Sequence, residues 1–402
     1  MRDVFLKILV CLCVMISTVS CVEEFALKMN VLRFESDIVI QGRILSGDKS
    51  IIYLSRTQPF GSDAVEVDSI TNAKITIVGQ NGFQSDEAIY ESEENCYKID
   101  TRHLLPNTLY ALRTEFDGEI YLSDYLAILD TPEIEDITYK ERNDGISIHL
   151  STSNDEDLSR YYMWNYEEDW EFHATVDFVG AKGIPVYNNK LYSQEIVNGY
   201  NPYFYCWKHT ESDEICLYNT TNLDTNQVKE HELLRIPIDD VRISYIYSIL
   251  VKQFCISENA YNYYRQLESL TENNSGLFAP MPTELNGNVT CVSTPSKKVR
   301  GYVLASNVKT KRLFIYESDF KQIHSEYDPE CILQRPDADD NVWDYVWRQL
   351  IANQGYVAIT QDGDIHGQDY LNNTLYSREC VDCRAVEGAT KKRPDFWPTN
   401  HE

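Results

Sequence analysis

Fifteen residues near the middle of the chain, RYYMWNYEEDWEFHA at 160–174, leave few options for their local fold. In a strand, successive side chains point to opposite faces. The even-numbered row reads Tyr162, Trp164, Tyr166, Glu168, Trp170, Phe172, Ala174, and the odd row reads Tyr161, Met163, Asn165, Glu167, Asp169, Glu171, His173. One row is a ladder of rings broken only by Glu168; the other turns acidic after Met163. A ring row left exposed would be a platform for a sugar or peptide. Set beside an acidic row, it predicts a half-buried strand with rings toward a core and acids toward water. Only Tyr161, Met163 and His173 then remain open to a ligand.

The same alternation recurs elsewhere. DIVIQGRIL, SIIYLSRT and AKITIVGQNG are strand-length runs within residues 33–132. TLYALRTEFDGEIYLSDYLAIL reads as a hairpin turned at Asp117-Gly118. The 28 tyrosines add to the strand tendency. DTPEIEDITYK at 130–140 marks a boundary, and NDG at 143–145 is a second tight turn. Ser257 is a candidate N-cap for a helix over 257–272, where Ala260, Tyr263, Tyr264, Leu267 and Leu270 share one face. The expectation is a mainly β protein of two tandem immunoglobulin or fibronectin-III-like sandwiches, spanning 33–132 and 133–320. The second carries the helix, and 321–402 is an irregular, Cys-containing extension packed on it.

Charge narrows the function. With 36 basic and 63 acidic residues the net charge is −27, which argues against a nucleic-acid partner. At the N-terminus, Arg2 and Lys7 precede an apolar run from Ile8 to Ile16 and then small residues before Cys21. That is the order of a secretory signal over residues 1–20, and the run is too short to span a bilayer. Thr18-Val19-Ser20-Cys21 resembles a lipobox, departing from the common pattern at Thr18 and Ser20, and Glu23-Glu24 resembles a surface-export signal. Cys21 is thus the expected lipidation site, with 21–32 as tether and acyl chains as the membrane contact.

Eight cysteines lie beyond the tether. Cys206 and Cys216 flank WKHTESDEI, a strand-turn-strand pattern, and are the expected bridge. Cys380 and Cys383 form a CxxC. A structural zinc site wants four ligands and no second pair is near, so a disulfide role is expected. Asp362, Asp364 and Asp369 outline a calcium-like loop with His366 at the fifth position and Asn373 at the twelfth; a plain polar turn fits it better. No metalloprotease, phosphate-loop, nucleophile-elbow or dinucleotide motif is present, and no catalytic residues are assigned.

Several stretches from 160 onward resemble one family. They are YYMWNYEEDWEF, YCW at 205–207, YSILVKQFCISENAYNYYRQL at 247–267, GLFAPMPTELNGNV, GYVLASNVKTKRLFI, and the terminal CVDC with KRPDFWP. The chain is similar there to Bacteroidota lipoproteins grouped as domain of unknown function 4249. The resemblance implies a surface lipoprotein of the outer membrane, encoded near TonB-dependent transporters and accessory to nutrient capture. It supplies no catalytic residues. The expectation is a non-catalytic binding subunit, with a structural or adhesive protein as the alternative and a surface glycan or peptide hydrolase behind it.

Overall fold

The computed structural model describes residues 36–58, 67–105, 108–154, 159–176, 184–187, 190–191, 203–212, 215–272, 285–325, 331–333, 356–360 and 375–398. The first half forms strands β1 (Ile38–Ser46), β2 (Lys49–Arg56), β3 (Lys74–Gly79), β4 (Ile89–Glu91), β5 (Cys96–Asp100), β6 (Leu109–Phe116), β7 (Glu119–Ser123) and β8 (Leu126–Ala127). Next come β9 (Ile134–Arg142), β10 (Gly145–Ser153), β11 (Tyr161–His173), β12 (Ile184–Tyr187), β13 (Lys190–Leu191), β14 (Tyr205–Glu211) and β15 (Cys216–Asn219). β16 (Gln227–Pro237) and β17 (Ile246–Cys255) lead into helix α1 (Glu258–Glu272). β18 (Val289–Cys291), β19 (Val299–Arg300) and β20 (Val303–Tyr316) follow. β21 (Ile332–Leu333), β22 (Tyr356–Thr360), β23 (Leu375–Ser377) and the short α2 (Arg378–Val381) complete them. The protein is mainly β, in several sheets.

Local signals were read correctly at two places. Phe116 pairs with Glu119, so Asp117-Gly118 is a two-residue loop with φ of 52° and 73°. Both angles are positive, as the twist-matched hairpin turn demands. Ser257 caps α1: its hydroxyl oxygen accepts from the Ala260 backbone N–H at 3.2 Å. The helix buries Ala260, Tyr263 and Tyr264 against Leu45, Met163, Phe254 and Leu304.

One large sheet runs β14-β11-β17-β20-β1-β2-β5-β4, with β15 beside β11 and β19 beside β1. Its continuity depends on β20. Residues 303–307 pair in parallel with β1, and residues 308–316 pair antiparallel with β17. The segment KVRGYVLASNVKTKRLFIY therefore contains one 14-residue strand that serves both halves. The chain also does not stay on one side of residue 132. β18 pairs with β7 and β19 with β1, so 289–307 return to the first half.

Two further sheets cover one face of the large one. The sheet β18-β7-β6-β3 closes a core that includes Ile40, Ile52, Ile75, Tyr97, Leu112 and Val303. The sheet β16-β10-β9 closes a second core of Ile148, Trp164, Trp170, Phe172, Tyr247 and Ile315. The third cluster, under α1, lies on the opposite face, and β20 contributes to all three. A small fourth sheet, β13-β12-β22-β23-β21, joins β12 and β13 to the C-terminal region.

Where β19 hands over to β20, the backbone touches β1. Gly301 has φ of +95°, and a Cβ there would lie 2.2 Å from the Ile40 carbonyl oxygen. Both the positive φ and the contact require glycine. Gly301→Ala is expected to destabilise by about 2–3 kcal/mol, read as a lower urea midpoint. An unchanged midpoint would show that the strands separate at no cost.

Candidate functional site: a polar cleft on the curled sheet

β11 is the strand on which the site is built, and only half of its expected pattern holds. Tyr162, Trp164, Tyr166, Trp170 and Phe172 enter the core as predicted. Tyr162 and Trp164 stack with centroids 5.9 Å apart, and Trp164 Nε1 donates to Gln253 at 2.8 Å. The odd row, however, is not a wet face. Met163 is fully buried beneath α1, and Asp169 and Glu171 are each 4% exposed. Tyr161 packs on Tyr261, and His173 packs among Phe204, Tyr205 and Tyr245. The three positions expected to stay open are therefore covered. The reason is tertiary: α1 covers Tyr161 and Met163, Phe204, Tyr205 and Tyr245 enclose His173, and the C-terminal segment covers Glu171.

That segment brings partners for the acids. Trp397 Nε1 donates to Glu171 at 2.8 Å. Arg312 of β20 donates to Asp169 at 2.9 Å and lies 3.6 Å from the Phe396 ring centre. His209 of β14 contacts the other Asp169 oxygen at 2.7 Å. Burial pushes the Asp169 carboxyl up, but the His209 and Arg312 hydrogen bonds outweigh it and hold it below its ordinary value. The bond to Asp169 raises His209 against the opposing effect of burial. The raised His209 stabilises fully below its unfolded value near ~6.5 and loses that contribution as pH rises through its folded value. The depressed Asp169 contributes above ~3.9 and loses this as pH falls through its folded value. The clasp is thus strongest between roughly pH 4 and 6.5. His209 is half exposed, so its share is at most about 1 kcal/mol. His209→Gln should flatten the decline in stability between pH 6 and 8, measured by urea unfolding; an unchanged decline would remove His209 as its source.

Beyond Asp169 the same face opens into a cleft. The sheet curls until strands near opposite ends of its order face one another. Glu211 of β14, Glu167 of β11 and Lys252 of β17 line one side of a space of about 270 Å³. Arg43 of β1, Lys49 and Tyr53 of β2, and Lys98 of β5 line the other. With Asp48 and Glu94, the lining holds four cations and four acids. Two pairs are already made: Lys252 with Glu167, and Lys98 with Glu94 at 2.6 Å. Among the described residues, Arg43, Lys49, Asp48 and Glu211 have no ion-pair partner within 4.0 Å, although Arg43 lies over the Phe254 ring at 5.8 Å. Burial raises the Tyr53 hydroxyl, and Arg43 partly offsets this. None of these residues stood out in the sequence. The available signal was polar residues at alternate positions of otherwise apolar strands, as at Lys49 and Tyr53, which solvated strands share.

A second space, of about 420 Å³, lies among Asp37, Arg56, Phe116, Asp117, Lys297 and Lys298. Two of its charges are in ion pairs, and Arg56 lies over the Phe116 ring at 5.3 Å. Lys297 pairs with Glu119 at 2.7 Å and Asp37 with Arg300 at 2.9 Å.

The cysteines pair differently from expectation. Cys206 bonds to Cys383, and Cys331 to Cys380, each with Cα atoms 5.7 Å apart. Cys216 is in no disulfide, and neither are Cys96, Cys255 and Cys291. The stretch between Cys206 and Cys216 is not a hairpin. β14 and β15 run one after the other along the same strand, Cys206 opposite Phe172 and Cys216 opposite Trp164. Eight strand residues separate those partners, roughly 26 Å at the usual rise, far beyond bridging distance. The disulfide role expected for Cys380 and Cys383 holds, with each sulfur pinning a different segment. Burial pushes the Cys255 thiol up to about 12 and that of Cys96 up to about 11, so neither is a ready nucleophile.

Cys21 and the loop of Asp362, Asp364 and Asp369 lie outside the described residues. Among the described residues, no group of three or more His, Cys, Asp or Glu could hold a metal ion, and no helix is long and apolar enough to cross a membrane. No curated protein matches the chain. Residues 22–312 match the profile of the family described as domain of unknown function (DUF4249), and the chain belongs to that family.

Proposed function

We propose that this family member is a lipid-anchored protein on the outer face of the outer membrane. There it serves as a non-catalytic binding subunit of a TonB-dependent uptake system. In this reading Cys21 carries the acyl chains and residues 21–32 are the tether. The paired sheets are two immunoglobulin or fibronectin-III-like sandwiches that share β20. The observation that carries the proposal is the polar cleft, built by both halves of the protein, where half of the lining charges are not consumed by internal pairing. Such concave, convergent polar groups on a rigid scaffold are the usual form of a ligand site. The burial of the Cys96 and Cys255 thiols supports a binding role over covalent catalysis.

The test is co-purification of the native protein from detergent-solubilised membranes, beside Cys21→Ser. A TonB-dependent transporter should be recovered with the wild type, and the variant should lose fatty-acid labelling and membrane association. Repeated recovery without a transporter, with growth on every nutrient unchanged after gene deletion, would favour a structural surface protein instead.

A further inference from the structure

The geometry points to a specific ligand class for the cleft: a small zwitterion bearing one carboxylate and one ammonium group, such as a free amino acid or dipeptide. This rests on the binding reading above and deepens it. The protein carries 63 acids against 36 bases, yet the cleft lining is balanced at four and four. Neither an anion nor a cation alone matches it.

Size and desolvation narrow the class further. A volume of about 270 Å³ sits at the low end of small-molecule pockets, ~300–1,000 Å³, so a long chain does not fit inside. Arg43 and Glu211 come from β1 and the end of β14, line the same space, and form no ion pair with each other. A neutral sugar laid over them would replace water with hydroxyl hydrogen bonds but bring no opposite charge to either. A zwitterion answers both. Arg43 offers a planar fork of donors to a carboxylate. Glu211 accepts from an ammonium group, while Tyr53, 44% exposed, offers a ring for the apolar part between them. The remaining cation without an ion pair, Lys49, is exposed and adds to the field that draws in a carboxylate.

The experiment is calorimetric titration of the mature wild-type protein with dialanine, N-acetyl-dialanine, dialanine amide and a neutral disaccharide. Dialanine should bind, and blocking either end should weaken it roughly tenfold or more, about 1.4 kcal/mol per decade. Arg43→Gln should weaken dialanine and abolish the penalty for amidation; Glu211→Gln should do the same for acetylation. Absence of dialanine binding at millimolar concentration, equal binding of the blocked forms, or stronger binding of the disaccharide would overturn the assignment. These outcomes use the wild type, so they do not depend on either variant folding. Transporter co-purification separates the two proposals. Recovery of a transporter without dialanine binding rejects the zwitterion site alone, and binding without a transporter rejects the uptake role alone.

Discussion

Arg242→Ala is expected to lower the unfolding free energy by about 3–5 kcal/mol. Glu168, the one acid in the ring row of β11, is 5% exposed in the core. It receives the Arg242 guanidinium at 2.8 Å and the Tyr247 hydroxyl at 2.7 Å. Arg242 is itself held by Asp240, through both its side chain at 2.7 Å and its backbone N–H at 2.8 Å. Removing the guanidinium strands a carboxylate among Trp170, Tyr247 and Tyr166, where water cannot replace the lost partner. The penalty belongs to the orphaned charge more than to the pair. Glu168→Met with Arg242→Met should therefore recover most of the loss, because a buried ion pair gains little over packed apolar groups. Urea midpoints for the two single variants and the double variant decide it. A double variant as unstable as Arg242→Ala would mean that the pair itself supplies the stability.

Cys383→Ser is expected to have a comparable effect. The Cys206–Cys383 bond closes a sequence separation of 177 residues, which in the chain-entropy account is worth about 5 kcal/mol. It also holds the C-terminal segment where Trp397 reaches Glu171 and Thr390 pairs with Trp207. Without it, residues 384–398 should become sensitive to protease under native conditions, and Glu171 should lose its buried donor. Cys216→Ser should leave both bonds intact, since that thiol takes part in neither. Non-reducing peptide mapping provides the sharpest check: fragments must join 206 with 383 and 331 with 380. A 206–216 linkage, or a bond within the CxxC, would overturn the pairing.

How much of this was legible beforehand depends on the range of the interaction. Asp117-Gly118 and the Ser257 cap are decided by neighbours a few residues away, and their chemistry is written in adjacent letters. The ring row of β11 was equally readable, because parity alone sorts it. The odd row was misjudged because acids normally mean water, and nothing near Asp169 or Glu171 in sequence announces Arg312 or Trp397. The 206–216 bridge failed for a related reason. Short spacing suggested a hairpin, whereas pairing with β11 stretches the two cysteines along a single edge.

By itself, then, the sequence determined that the chain is mainly β, where its tight turns and helix fall, which row of β11 faces a core, and to which family it belongs. These follow from side-chain period, backbone preference and local capping, which act within a few residues. Tertiary structure alone decided that β20 joins both halves into one sheet, that most of both faces of β11 is covered, which cysteines pair, and that Arg43 and Glu211 line one cleft. Each of those depends on contacts between residues far apart in the chain, and no local pattern encodes which distant strand will supply the partner.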